Sequence, residues 1–317
     1  MVALPFFDFF IENPDFCEKP ESAVFSMNYY FLPGVGIYGG IKVGFQFSHI
    51  LDELGVKIVV VTPDGSAPSW FRCGASVISE AEAIHRVKKN DTIIFSLPHD
   101  YNKLKKISNK LIFHCQGTDP LINPILLDPE VVLLNCWQQA KEYMRQAGRE
   151  SISVGISLSN TFYYDGTLKD AKLLSGMSRR GSELISSIVD FHHSLTVSLI
   201  DGMHEDQVAA QLKKSTFYLA TSENEWFGLP ALEAMAAGCV VLSVPVIGGI
   251  EYLKNEQNCF YGTSEYLKKQ LQYLLTDNQR IRALQYNAIS KALEYSQQNQ
   301  TYTLKVLLRD ALNFLVH

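Results

Sequence analysis

Two successive series of short apolar runs, alternating with longer amphipathic segments, restrict what these 317 residues can form more than any other feature. A strand that is apolar at every position, rather than at every second one, is covered on both faces, as happens in parallel sheets whose crossovers are helices. In the first series, 23–27, 58–61, 92–97, 111–114 and 131–135 read as buried strands. Segments 41–54 and 138–147 read as helices, with Gly55 and Gly148 where helix stops belong. The second series has strands at 171–175, 195–200, 216–220 and 240–244 and helices at 182–191, 205–214, 230–237 and 263–275. The fold class this predicts is α/β, with two Rossmann-like units.

Between the series runs the polar, turn-forming stretch 157–166, which sets the expected limits at 1–157 for a first domain and 158–295 for a second. The tail, 296–317, is expected to be helical and free to pack back on the first domain. Helices are read at 278–295 and 302–314, and in the latter Leu304, Leu307, Leu308 and Leu312 recur at helical spacing and need a surface to cover. Two such units facing each other bring the carboxyl ends of both sheets around one cleft, where open parallel sheets bind ligands.

Charge narrows the ligand. The chain has 28 Lys plus Arg against 33 Asp plus Glu, a net charge of −5, so no basic field favours nucleic acid as a partner and any phosphate site must be local. The six cysteines, at 17, 73, 115, 136, 239 and 259, never reach a Cys-x-x-Cys spacing, which reads as free thiols in a reducing compartment. The opening segment with Phe6, Phe7, Phe9 and Phe10 lacks the basic start of a signal peptide, and no run of about 18 apolar residues occurs. A cytoplasmic location follows as the expectation; peripheral membrane contact is allowed but not expected. The sequons at Asn90 and Asn299 then carry no weight.

The most informative stretch is Ala220-Thr-Ser-Glu-Asn-Glu-Trp-Phe-Gly-Leu-Pro-Ala-Leu-Glu-Ala-Met-Ala-Ala-Gly238, followed by the apolar strand Cys239-Val-Val-Leu-Ser243. Pro230 suits the first position of a helix and Gly238 a left-handed stop, so the amides of Phe227, Gly228 and Leu229 should stand open at the helix start. Open amides at a helix start hold anions. Glu225 and Glu233 flank that site, and carboxylates accept hydrogen bonds from vicinal hydroxyls, a combination suited to a sugar carried on a nucleoside diphosphate. Taken singly, Glu233 reads as a surface acid complementing the helix dipole and Glu225 as a solvated loop acid.

Together, Glu225-Trp-Phe-Gly-Leu-Pro-Ala-Leu-Glu233 resembles the E-x7-E signature of retaining, nucleotide-sugar-dependent glycosyltransferases of GT-B fold, particularly glycosyltransferase family 4. The resemblance implies that Glu225 contacts the transferred sugar, Glu233 the ribose hydroxyls, and the amides of Phe227, Gly228 and Leu229 the diphosphate. Trp226 departs from the pattern, standing where the family usually has Gly. Gly39-Gly40 resembles the glycine-rich first loop, and Arg179-Arg180-Gly181 the cationic loop on the diphosphate, with Met177 where an arginine is usual. Arginine forks match phosphate oxygens, a physical reason for their presence there. Gly248-Gly249-Ile-Glu251 resembles the following glycine and acid turn, with the acid one residue early.

His114, ending the strand at 111–114, resembles the family's strand-end histidine that reaches the donor sugar, with His99 as its competitor. Asp119, Asp128 and Asp201 form no Asp-x-Asp arrangement, so no metal is expected, and no cofactor besides the donor substrate. The function this implies is transfer of a sugar, with retention, from a nucleoside-diphosphate sugar to a carbohydrate, glycolipid or other acceptor. The rivals are a non-catalytic sugar-nucleotide-binding subunit and a GT-B epimerase or phosphorylase.

Overall fold

The computed structural model describes residues 26–108, 110–223 and 225–316, without the side chain of Arg180. Phe6, Phe7, Phe9, Phe10, Cys17 and the start of the first expected strand, 23–25, lie outside the described residues.

The first unit is a seven-stranded sheet in the order β3-β2-β1-β4-β5-β6-β7. Its strands are β1 (Asn28–Phe31), β2 (Ile58–Thr62), β3 (Val77–Ser79), β4 (Thr92–Phe95), β5 (Leu111–Cys115), β6 (Val132–Asn135) and β7 (Ile152–Ser153). All neighbouring pairs are parallel. Helices α1 (Gly39–Glu53), α2 (Glu80–Arg86), α3 (Tyr101–Leu104), α4 (Asn123–Leu126) and α5 (Gln138–Gln146) connect them. The second unit is a parallel five-stranded sheet in the order β12-β11-β10-β8-β9. Here the strands are β8 (Asp170–Gly176), β9 (Thr196–Leu199), β10 (Ser215–Ala220), β11 (Val240–Ser243) and β12 (Cys259–Tyr261). Around them lie α6 (Ser182–Phe191), α7 (Glu205–Lys214), α8 (Leu229–Ala236), α9 (Ser264–Leu274) and α10 (Asn278–Leu293), while α11 (Gln297–Leu307) packs on the first unit through Leu304 and Gln300.

The apolar runs form the sheet centres because helices cover both of their faces. In β2, β4 and β5 every residue is buried. Three departures from the sequence reading have physical causes. First, β1 begins at Asn28, later than the expected 23–27. Its polar start is tolerated because Asn28 Nδ2 donates to the carbonyls of Lys57, at 2.9 Å, and Leu315, at 3.0 Å. Second, β3, β7 and β12 were not expected; each is a short strand at a sheet edge, too brief to show a period. Third, the last helix stops at Leu307 rather than running over 302–314. The chain turns there, Leu312 N donating to the Leu307 carbonyl at 2.7 Å, so that Leu304, Leu312 and Leu315 share a core cluster with Tyr30, Phe45 and Leu51 of the first unit.

A second cluster has no seam between the units. It runs from Phe31, Val43 and Trp137 to Phe227, Leu229 and Leu232. Burial of this apolar surface favours the units being held together, at roughly 25 cal/mol per Å2 removed from water. Among the described residues, no helix is long and apolar enough to cross a membrane.

Candidate functional site

The α8 segment forms where its punctuation predicts, starting one residue earlier, at Leu229. Gly228 precedes the helix with φ 82°, a left-handed conformation, and Pro230 sits in the first turn. No side chain caps α8, and its buried face of Leu229, Ala231, Leu232, Ala234, Met235 and Ala236 is short enough to lie close on the sheet. The Tyr252 hydroxyl donates to the Gly228 carbonyl at 2.6 Å, with the Phe227 carbonyl at 3.0 Å, and fixes the approach to the helix. Gly248 holds the same loop from the other side. A Cβ there would fall 1.4 Å from the Trp226 carbonyl oxygen, and the amides of Ile247 and Gly248 donate to the Glu225 carbonyl at 3.2 and 3.4 Å.

A cavity of about 400 Å3 opens where this loop faces the first unit. Gly39, Gly40, Arg179, Glu225, Phe227, Gly228, Leu229 and Glu233 all line it. The loops contributing them follow β1, β8 and β10, so the site lies at the carboxyl ends of both sheets. Close approach explains the glycines of the first unit: a Cβ on Gly39 would stand 3.1 Å from Leu229 Cδ1, and one on Gly40 2.4 Å from Gln116 Oε1. Arg179 Nη1 donates to the Ile37 carbonyl at 3.3 Å, placing the guanidinium between the units. Asp201 orders its loop, accepting from the amides of Ser178, at 2.6 Å, and Arg179, at 3.3 Å. Burial opposes the charge on Asp201, but these hydrogen bonds outweigh it and hold the carboxyl below its ordinary range. Arg180 continues the same short helical turn, Ser178–Arg180; its side chain lies outside the described residues.

Two expected histidines are elsewhere. His114 is fully buried in β5, with Nδ1 2.7 Å from the Tyr30 hydroxyl and Nε2 3.0 Å from Cys136 Sγ, and its ring lies 4.6 Å from that of Phe47. It was expected to meet the transferred sugar; the structure buries it within β5, and it does not line the cavity. Burial pushes the imidazole down to about 3, so it is neutral at ordinary pH. Gln116, two residues on, clears the strand end and lines the cavity. His99 is exposed in the turn Pro98–Asp100 and does not line the cavity.

Glu251 also differs from the turn it resembles. Its carboxylate accepts from the Gln138 amide at 2.7 Å and from the Tyr295 hydroxyl at 3.0 Å, so the second unit caps α5 of the first.

Sequence reasoning missed Lys42, Gln116 and Glu205. Lys42 Nζ lies 2.7 Å from Glu233 Oε1 and 2.5 Å from Glu205 Oε2, and all three side chains are nearly inaccessible. Burial opposes the charge on Lys42, yet Glu233 and Glu205 outweigh it and raise its pKa. For Glu233, burial lifts the carboxyl above its ordinary range while Lys42 opposes the rise. The signal for Lys42 was present: it is a lone cation in the apolar run Ile41, Val43, Phe45, Phe47. So was another signal, since the chain has only three tryptophans, and Trp70, Trp137 and Trp226 all line the cavity.

The arrangement can bind an anion at an uncapped helix start beside a guanidinium, and hydroxyls at two carboxylates within aromatic walls. Residues 182–291 match the family described as glycosyl transferases group 1. No curated protein matches the sequence. Among solved structures, sucrose-phosphate synthase from Thermosynechococcus elongatus superposes with a TM-score of 0.71 at 14% identity, over 91% of this chain and 99% of that one. HepE of Anabaena, in complex with UDP and glucose, gives 0.69 at 13% identity over 90% of this chain and 99% of that one. WaaG, a glycosyltransferase involved in lipopolysaccharide biosynthesis, gives 0.65 at 12% identity over 90% and 100%. The architecture is thus the GT-B fold, with two Rossmann-like units and parallel sheets.

Proposed function

We propose that the chain is a glycosyltransferase that moves a sugar from a nucleoside-diphosphate sugar to an acceptor hydroxyl. The observation that carries this reading is one cavity joining the α8 N-terminus, Arg179 and the carboxylates of Glu225 and Glu233 at the carboxyl ends of two parallel sheets. In this reading the diphosphate lies on the amides of Phe227, Gly228 and Leu229, beside Arg179 and Arg180. Glu233 takes the ribose hydroxyls, Glu225 takes the transferred sugar, and Gly39 and Gly40 let the first unit approach. The match of residues 182–291 to the glycosyl transferases group 1 supports it, as does the HepE structure with UDP-glucose.

Transfer with retention is part of the proposal. The bond from the anomeric carbon to the β-phosphate oxygen breaks, the acceptor oxygen bonds on the same face, and its proton passes to the departing diphosphate. Arg179 and the helix amides stabilise the charge that develops on that leaving group. Residues 1–157 would serve the acceptor and 158–295 the donor, with 296–317 returning to the first unit. The shared cluster of Leu304 and Leu312 with Tyr30 supports that division.

A thermal-shift series with UDP, GDP, ADP and their sugars tests the donor, since a ligand at a hundred times its Kd stabilises by about 2.7 kcal/mol. No shift with any of them sinks the reading. Incubation of the best donor with saccharide and glycolipid acceptors, followed by NMR of the product's anomeric proton, then tests transfer and retention. Binding without transfer or hydrolysis would favour a non-catalytic subunit.

A further inference from the structure

Lys42 is the fourth residue of α1, just past Gly39 and Gly40, on a helix that otherwise buries Ile41, Val43, Phe45 and Phe47. Its ammonium crosses the cleft and lies 4.4 Å from the centre of the Phe162 ring. There it meets two carboxylates of the second unit, Glu233 Oε1 at 2.7 Å and Glu205 Oε2 at 2.5 Å. Glu205 is fixed in turn: α7 starts on it through a reciprocal cap between His204 and Gln207, and its Oε1 accepts from Ser159 Oγ at 2.9 Å. Folding has no need of such a group, because apolar residues of similar volume generally serve a dry interface as well or better. Only one oxygen of Glu233 is used. Among the described residues Oε2 takes no hydrogen bond, and the side chain lines the cavity.

We infer that Lys42 is a positioning residue of the donor site, holding Glu233 by one oxygen from across the cleft so that the other oxygen receives a ribose hydroxyl. This rests on the donor reading given above. It adds that ribose recognition is assembled from both units, and so depends on their being together. The physical reason is charge. A carboxylate accepts hydrogen bonds through both oxygens, whereas a protonated carboxyl gives up part of that capacity. Burial and Glu205 both drive Glu233 towards the protonated form, and Lys42 opposes them. Among the described residues Lys42 is the cation that acts on Glu233; α7, which also packs on α8, brings Glu205 towards it, while its Lys213 turns away to pair with Asp165. β10 contributes Tyr218, whose hydroxyl feels Glu233, while α10 faces α8 with Ala288 and Ala292, and β11 and the turn Asn160–Phe162 carry no ionisable side chain.

Calorimetric titration with UDP and with 2′,3′-dideoxy-UDP, which lacks the ribose hydroxyls, tests the inference. A hydrogen bond to a charged acceptor corresponds to at least about tenfold in affinity, so the native chain should prefer UDP by that factor, evenly from pH 6 to 9. Lys42→Met should reduce the preference to below about threefold near neutrality and recover it as pH rises and Glu233 ionises. Lys42→Arg should restore the native preference. Where Lys42→Met does not give a native thermal transition, the double variant Lys42→Met/Glu205→Gln removes the second unpaired carboxylate; burial alone then raises the Glu233 carboxyl, so a smaller loss of preference, recovered at a lower pH than in Lys42→Met, is expected. A folded Lys42 variant that keeps the full preference with no new pH dependence overturns the role of Lys42. A native chain that binds UDP without preferring it to the dideoxy form overturns the role of Glu233 as well. Failure of the native chain to bind any of UDP, GDP and ADP overturns the donor reading itself.

Discussion

His114 illustrates how a single side chain is decided by its surroundings. Buried between the Tyr30 hydroxyl and Cys136 Sγ, its imidazole is held to about 3, whereas in an unfolded chain it titrates near pH 6.5. Between those values the unfolded chain binds a proton that the folded chain does not, so stability falls as pH drops from about 6.5 towards 3. His114→Leu, similar in volume, should lose about 1–2 kcal/mol at pH 7 through the missing hydrogen bonds but show a shallower decline in acid. Urea melts at pH 7, 5 and 4 measure this; an unchanged pH slope would show that the burial of this ring has no such effect. His114 was legible as a strand-end histidine, but the two-residue difference between the last covered position and the first one free of the sheet was not. That difference puts Gln116 rather than His114 in the cavity wall. Lys42 escaped for a related reason, because its partners are more than 160 residues away in sequence and no local period points to them.

At the scale of elements, strands and helices that carry a full apolar period were legible, and so was α8, where Pro230 and Gly238 mark the ends. The edge strands β3, β7 and β12 were not, since each is too short to show a distinctive run. The glycine turn after β11 carries a structural task that resemblance alone did not disclose: Gly248 is the surface on which the backbone of Glu225 and Trp226 rests. Gly248→Ala would place a Cβ 1.4 Å from the Trp226 carbonyl oxygen, which only a shift of that loop relieves. It should destabilise the protein by about 1–3 kcal/mol and weaken nucleotide binding tenfold or more. Gly39→Ala, whose nearest neighbour is the movable Leu229 side chain at 3.1 Å, should be milder. Thermal melts and titration of both variants provide the comparison, and equal effects would contradict this account of the loop.

The whole molecule behaves as two sheets tied by one core and by a tail that returns. Leu312 is fully buried in the cluster of Tyr30, Phe45 and Leu51, although it lies near the end of the chain. Leu312→Ala should cost about 2–5 kcal/mol, while Val306→Ala, at an exposed position nearby, should be close to neutral. Urea denaturation followed by circular dichroism separates them; similar small losses for both would mean that the tail contributes little to stability. The gathering of Trp70, Trp137 and Trp226 around one cavity has an optical consequence. Every indole in the protein lines this cavity, so emission excited selectively from tryptophan reports on that space. Stacking by a nucleobase or sugar ring should quench or shift the spectrum without any attached dye, and replacing the tryptophans one at a time by phenylalanine would tell which wall the entering molecule meets first.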